Sequence, residues 1–143
     1  MRKHKGFTLI ELVVVVMILG ILAAVAAPKL LNTSASAAEN GLRESLGVMR
    51  DAIERFAAEH GGQLPGNPAG TAAAFTTDIT PYLRGAAIPK SPCGNTNNTV
   101  SVVPGAVSAT GTAGWMYSSG DGTFICNSNA ATKVDPTVHY NEL

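Results

Sequence analysis

Glu11 is the residue that most needs a chemical reason. It stands inside an apolar run from Phe7 to Ala27 that only Thr8 and Gly20 otherwise interrupt. A charged side chain in a membrane-length segment costs about 2.5–3.5 kcal/mol on insertion scales. Such a carboxylate stays protonated, reaches the headgroups, or finds a cationic partner inside an assembly. No Lys or Arg lies within the run, but a free α-amine would serve if the chain began close by. Gly6, a small residue between a basic stretch and the apolar run, is readily accommodated by a protease at the inner face of a membrane. Cleavage after Gly6 places a new ammonium on Phe7, one helical turn before Glu11. Within one helix that pair is reachable. Between neighbouring copies staggered along a common axis it becomes a registration device, because an ion pair in a low-dielectric setting is costly to break.

Composition and period define the elements that hold these residues. Arg2, Lys3 and Lys5 make residues 1–6 a short basic leader. Basic residues before an apolar run that contains none predict a cytoplasmic N-terminus and an exported remainder. Residues 7–28 form a transmembrane or assembly-core helix; at 1.5 Å per residue it reaches roughly 30 Å, enough to cross a bilayer core. Residues 29–60 read as an amphipathic helix continuing it. Leu31, Ala35, Ala38, Leu42, Leu46, Met49, Ile53 and Phe56 fall on one helical stripe. Glu39 with Arg43, Arg50 with Glu54, and Asp51 with Arg55 are opposite-charge pairs at i,i+4. Each adds only about 0.2–0.5 kcal/mol, so packing of the stripe must dominate. Gly61-Gly62 supplies the stop signal. Pro28, at the junction, either breaks the chain or leaves one long helix with a kink or a loosened turn; the patterns on both sides favour continuity.

Residues 61–143 read as a small exported domain of strands and loops. Thr99–Val103, Gly114–Tyr117 and Thr123–Cys126 have strand character, and Ser118-Ser119-Gly120-Asp121-Gly122 joins the last two as a hairpin. The expected fold class is α+β: a long N-terminal helix whose amphipathic half packs on a small antiparallel sheet. Asp78–Leu83 forms a short turn or helix around Pro81. Trp115, Tyr117 and Phe124 sit at strand spacing and belong to the core. Cys93 and Cys126 lie in the exported part, where an oxidising compartment makes a disulfide the default reading. Closing that segment would restrain the unfolded chain by roughly 3–4 kcal/mol on the chain-entropy account, whereas a reactive-thiol role has no supporting neighbour.

The bulk numbers exclude several classes. Ten basic side chains balance ten acidic ones, which leaves no electrostatic footprint for nucleic acid. His4, His60 and His139 are scattered, with no pair at metal-ligand spacing. No nucleophile elbow, phosphate loop or paired-carboxylate motif appears, so neither catalysis nor a cofactor is expected.

Gly6-Phe7-Thr8-Leu9-Ile10-Glu11-Leu12 resembles the class III signal of type IV prepilins and type II secretion pseudopilins. The resemblance implies cleavage between Gly6 and Phe7 by a prepilin peptidase, N-methylation of Phe7, and pairing of Glu11 with the N-terminal amine of an adjacent subunit. It implies a homo-oligomeric helical filament with other pilin-like subunits, built by an inner-membrane assembly platform. The subunit would first sit in the bacterial inner membrane as a single-pass protein with a periplasmic C-terminal domain, and then in a periplasmic or extracellular filament. Many pilins also carry a proline and a loosened helix where Pro28 stands.

The downstream domain is similar in build to the major pseudopilin, through the loop Pro89-Lys90-Ser91-Pro92-Cys93-Gly94 and the strands around Trp115 and Phe124; an extracellular or DNA-uptake pilin is compatible too. Some major pseudopilins bind calcium in their C-terminal loops. Asp121, Asn127 and Asp135 could offer oxygen ligands, although their spacing matches no loop motif and suits turn formation better.

Two rival readings use the same N-terminus. An exported soluble binding protein or enzyme would carry an ordinary signal peptide, with Ala24-Val25-Ala26 as its small-x-small cleavage site. A plain single-pass anchor would need no cleavage at all. N-terminal sequencing of membrane-extracted protein separates the three: a start at methylated Phe7 is expected, whereas a start at Ala27 or an intact Met1 would favour a rival.

Overall fold

The structure, a computed structural model, describes residues 7–143, and of residues 31 and 32 the backbone alone. Its first element is helix α1, Leu9–Glu59, which contains Pro28. Pro28 offers no N–H to the carbonyl of Ala24, but the apolar turns before it and the amphipathic turns after it keep their helical bonds. The chain divides into two compact units, one ending at Ala35 and the other running from Ser36 to Leu143.

In the first unit every described side chain up to Ser34 is exposed, including the large apolar ones from Leu9 to Leu30, and Ala35 is half-buried. This part of α1 is long and apolar enough to cross a membrane. In the second unit the helix buries a single stripe, Leu42, Leu46, Met49, Ile53 and Phe56, and Ala52 joins it. Ala38 packs against that core, whereas the Leu31 side chain lies outside the described residues. Fully burying side chains of this size is worth about 1.5–3 kcal/mol each, so the stripe is what fixes α1 to the rest of the unit.

The charge pairs behave less uniformly. Arg43 meets Glu39 at 2.9 Å. Arg50 turns away from Glu54 and inward: its Nε and Nη2 donate to the Phe124 carbonyl at 3.3 and 3.1 Å, and its Nη1 donates to the Leu143 carbonyl at 3.4 Å. Half-buried at the edge of the stripe, the guanidinium finds backbone acceptors that an exposed carboxylate cannot match. Beyond His60 the helix closes with a Schellman-type bond from Gly62 N–H to the Ala57 carbonyl, 2.7 Å. Gly61 and Gly62 both adopt positive φ there, 65° and 89°, which is why this stop is built of glycines.

The segment expected to be strands and loops holds a second helix, α2, Ala72–Ile79. Thr71 caps it by accepting the Ala74 N–H at 3.3 Å, and Phe75 and Ile79 form its buried face. Three alanines and one i,i+4 apolar pair make a signal too short to stand out from loop sequence. A 3-10 turn at Thr80–Tyr82 carries Pro81 as expected.

Three strands follow: β1 Val100–Val103, β2 Trp115–Ser118 and β3 Phe124–Cys126, in the order β1-β2-β3. The β2–β3 pair is the expected antiparallel hairpin, with Trp115 opposite Cys126 and Tyr117 opposite Phe124. The sheet as a whole is mixed, however, because β1 and β2 are parallel, Val100 matching Trp115 and Val103 matching Ser118. One side chain explains that correction. The Oδ1 of Asn97 accepts the Thr99 N–H at 3.1 Å and the Gly114 N–H at 2.7 Å, so β1 and β2 both set out from the same point. Gly114 allows the approach: a Cβ there would stand 2.2 Å from the Asn97 carbonyl oxygen. The chain between the strands must then travel back alongside them, and Asn127 holds it by accepting the N–H groups of Thr110 and Gly111 at 2.6 and 3.2 Å.

Around this frame the aromatic core closes. Phe75 lies 4.2 Å from Tyr117 between ring centroids, and Trp115 lies 5.3 Å from Phe124. The polar handles are satisfied: Trp115 Nε1 donates to the Pro89 carbonyl at 2.8 Å and Tyr117 Oη to that of Pro65 at 3.2 Å. Trp115 is the single tryptophan and is fully buried, so its fluorescence reports unfolding. Asn97→Ala strands the buried Gly114 N–H and is expected to lower the unfolding free energy by about 1–3 kcal/mol, read from denaturant titrations of the full chain in detergent.

Candidate functional site

The N-terminal end of α1 is arranged around Glu11. Thr8 precedes the first helical residue, and Glu11 is the third residue of the helix. The Thr8 N–H and the Thr8 hydroxyl both donate to Glu11 Oε2, at 2.8 and 2.7 Å, and the Glu11 N–H donates back to Thr8 Oγ1 at 3.3 Å. This is a reciprocal capping box, which satisfies backbone donors that the helix itself leaves orphaned. The Thr8-x-x-Glu11 spacing was the signal for it in the sequence, eclipsed by the carboxylate itself.

Phe7 is almost fully exposed, at 91%, and no basic side chain among the described residues pairs with Glu11. Gly6 and the rest of the basic leader lie outside the described residues. Pro28 stays within the helix. The apolar surface between Phe7 and Leu30 therefore carries one anchored carboxylate near its start and no internal cover. Such a surface needs lipid or other protein.

The remaining candidates lie in the second unit. Cys93 and Cys126 are brought together in the core as free, buried thiols, so the expected bridge is not formed in this structure. Ser91 links them: its hydroxyl donates to the Cys93 carbonyl at 2.7 Å and lies 3.6 Å from Cys126 Sγ. The Cys93 thiol also reaches the Ala38 carbonyl of α1, at 4.0 Å. Burial pushes both thiols above their ordinary range.

Asp121, Asn127 and Asp135 do not converge. Asp121 accepts the Thr123 N–H at 2.9 Å in the β2–β3 turn, and Asp135 accepts those of Thr137 N–H and hydroxyl at 2.9 and 2.6 Å. These bonds hold both carboxyls below the usual range. Asn127 is fully buried and spends its amide on the Thr110 loop. Each of the three residues makes hydrogen bonds within its own turn or loop. Among the described residues no group of three or more His, Cys, Asp or Glu side chains could hold a metal ion.

What fold and site define together is a subunit with an apolar single-helix N-terminus and a small α+β head. Residues 1–27 match the family described as Prokaryotic N-terminal methylation motif. Prepilin peptidase-dependent protein D of Escherichia coli (strain K12) is 36% identical over 121 residues, 80% of this chain and 82% of that protein. Type II secretion system core protein G of Vibrio cholerae serotype O1 is 34% identical over 102 residues, 66% of this chain and 69% of that protein. The type IV major fimbrial protein FimA of Dichelobacter nodosus is 52% identical over 51 residues, 36% of this chain and 33% of that protein. No solved structure matches the chain significantly. The chain belongs to the type IV pilin and pseudopilin family.

The buried thiols give a pH dependence. Folded-state thiols titrate above the free value of about 8.5, so under reducing conditions stability is fully present below that pH. It falls as pH rises further, because the unfolded chain ionises first. Denaturant titrations across that range are expected to show the decline, and replacing both cysteines by serine should shift its onset upward, toward the tyrosines.

Proposed function

We propose that the protein is a structural subunit of a filament, either a type II secretion pseudopilus or a type IV pilus-like fibre. A prepilin peptidase cuts the chain between Gly6 and Phe7, and the new Phe7 amine is methylated. The apolar part of α1 first sits in the inner membrane, with the head on the periplasmic side. An assembly platform in that membrane then transfers it into the filament core. There the Phe7 ammonium of one subunit meets Glu11 of its neighbour.

The observation that carries this reading is Glu11: a carboxylate on the exposed apolar part of α1, hydrogen-bonded to Thr8 and without a cation among the described residues. Breaking a buried ion pair by removing one partner costs about 3–5 kcal/mol, which is ample to reject subunits set at a wrong axial offset. The likeness of the chain to both a secretion core protein and fimbrial proteins supports assembly as the shared property.

Glu11→Ala is expected to be cleaved and inserted normally yet to yield few or no filaments in sheared fractions or by electron microscopy; abundant filaments would remove the registration role. Replacing Gly6 by a bulky residue should leave full-length precursor in the membrane, and normal maturation of that variant would remove the assigned cleavage site. In the oxidising periplasm the thiols of Cys93 and Cys126 are proposed to form a disulfide, passing two electrons and two protons to an external disulfide oxidant. Thiol alkylation of unreduced, denatured protein should then leave both cysteines unlabelled, and reduction should lower stability by roughly 3–4 kcal/mol. Full labelling without reductant would rule the bridge out.

A further inference from the structure

Neither cysteine of the folded head is open to a second molecule. Cys93 is 6% exposed and Cys126 1%. Cys126 lies on β3 directly opposite the buried Trp115, and the buried Ser91 hydroxyl stands 3.6 Å from its sulfur. Cys93 faces α1, with its sulfur 4.0 Å from the Ala38 carbonyl. The next residue, Gly94, backs onto Ser128 so closely that a Cβ there would stand 2.5 Å from the Ser128 Cβ. That contact leaves the loop little room to turn a thiol outward.

Disulfide formation makes demands that this arrangement refuses. One protein thiolate attacks a sulfur of an external disulfide and displaces the other sulfur; the second protein thiolate then attacks the protein sulfur of the mixed disulfide. The external S–S bond and then the mixed one break, the Cys93–Cys126 bond forms, and the protein's two protons end on the oxidant's two sulfurs. The first step needs a thiol that is both accessible and ionised. In the head burial hides both thiols and favours their protonated forms.

Local opening offers no easy detour. Residues 89–97 carry Cys93, and both ends of this loop are tied to the start of β2. Trp115 Nε1 donates to the Pro89 carbonyl at 2.8 Å, and Asn97 Oδ1 accepts the Gly114 N–H at 2.7 Å. Between them the Ser91 N–H donates to the Asn97 carbonyl at 2.9 Å. Releasing the loop breaks the bonds from which β1 and β2 set out, so exposing Cys93 amounts to opening the sheet.

We propose that folding of the head closes the interval in which Cys93 and Cys126 can be joined, so that the redox state of each subunit is set once, between export and folding, and is kept afterwards. The inference rests on the bridge proposed above and adds its timing. A chain that meets a disulfide oxidant before its core closes becomes bridged. A chain that folds first stays a dithiol in the same oxidising surroundings.

The test uses the reduced full chain in detergent, exposed to excess oxidised glutathione, with free thiols counted by alkylation and mass measurement. The folded chain is expected to lose its first thiol at least about a hundred-fold more slowly than the chain in denaturant, because reaction waits for opening. Added denaturant should speed the loss in step with the unfolding equilibrium read from Trp115 fluorescence. Asn97→Ala should speed it by about ten-fold or more in native buffer; should that variant not fold, the denaturant series on the wild type carries the test. A folded rate within about ten-fold of the denatured one, or a rate indifferent to denaturant, would overturn the timing. Refolding from denaturant in the same oxidant is expected to yield the bridged head. Glutathione-capped thiols without a bridge would overturn the bridge and its timing together, whereas a bridged refolded head beside fast oxidation of the folded one would overturn the timing alone.

Discussion

Helix α1 is apolar all the way round from Leu9 to Leu30 except at Glu11 and a few small or polar positions, and apolar on one stripe only from Leu42 to Phe56. A single helix thus has to satisfy two different surroundings. Its second part is covered by its own chain. Its first part is not, and burial of that apolar surface must come from lipid or other protein. Within the second unit the head is tied to α1 mainly through the buried stripe of residues 42–56, with further contacts at Ala38 and Glu59.

The head is held in a form that suits this division. Asn97 starts two strands from one oxygen, Asn127 pins the connection that runs between them, and Arg50 fastens β3 to the helix through the Phe124 carbonyl. Each of these polar side chains is hydrogen-bonded to backbone, the arrangement in which a buried polar group specifies geometry instead of costing stability. Gly114 belongs to the same device, since the strand start can come close to Asn97 only where no Cβ intervenes.

Periodic and compositional features were legible in the sequence. The stripe on α1, the Gly61-Gly62 stop, the β2–β3 hairpin and the aromatic core all follow from residue type and spacing. Glu11 stood out as well, because an ionisable group in an apolar run is costly unless it stays protonated, reaches the headgroups or finds a partner. Features set by individual hydrogen bonds were not legible. Nothing in Asn97 or Asn127 as letters distinguishes a strand-starting amide from a turn residue, so the parallel pairing of β1 and β2 was out of reach and the default antiparallel meander stood in its place. Arg50 had a sequence neighbour of opposite charge, and only burial decided that backbone carbonyls would win. α2 was hidden by its brevity. At the N-terminus the carboxylate was read and its threonine partner was not, although their three-residue spacing is the standard mark of a capping box.

The loop around Cys93 has a mechanical consequence. Cys93 touches the Ala38 carbonyl on α1 and adjoins Cys126 at the end of β3 through Ser91. Tension carried along a helix must pass into the attached head where the two first meet, and Ala38 lies ahead of the buried stripe. The cysteine loop therefore stands at the point where load would enter the head, and a covalent link there would route that load directly to β3.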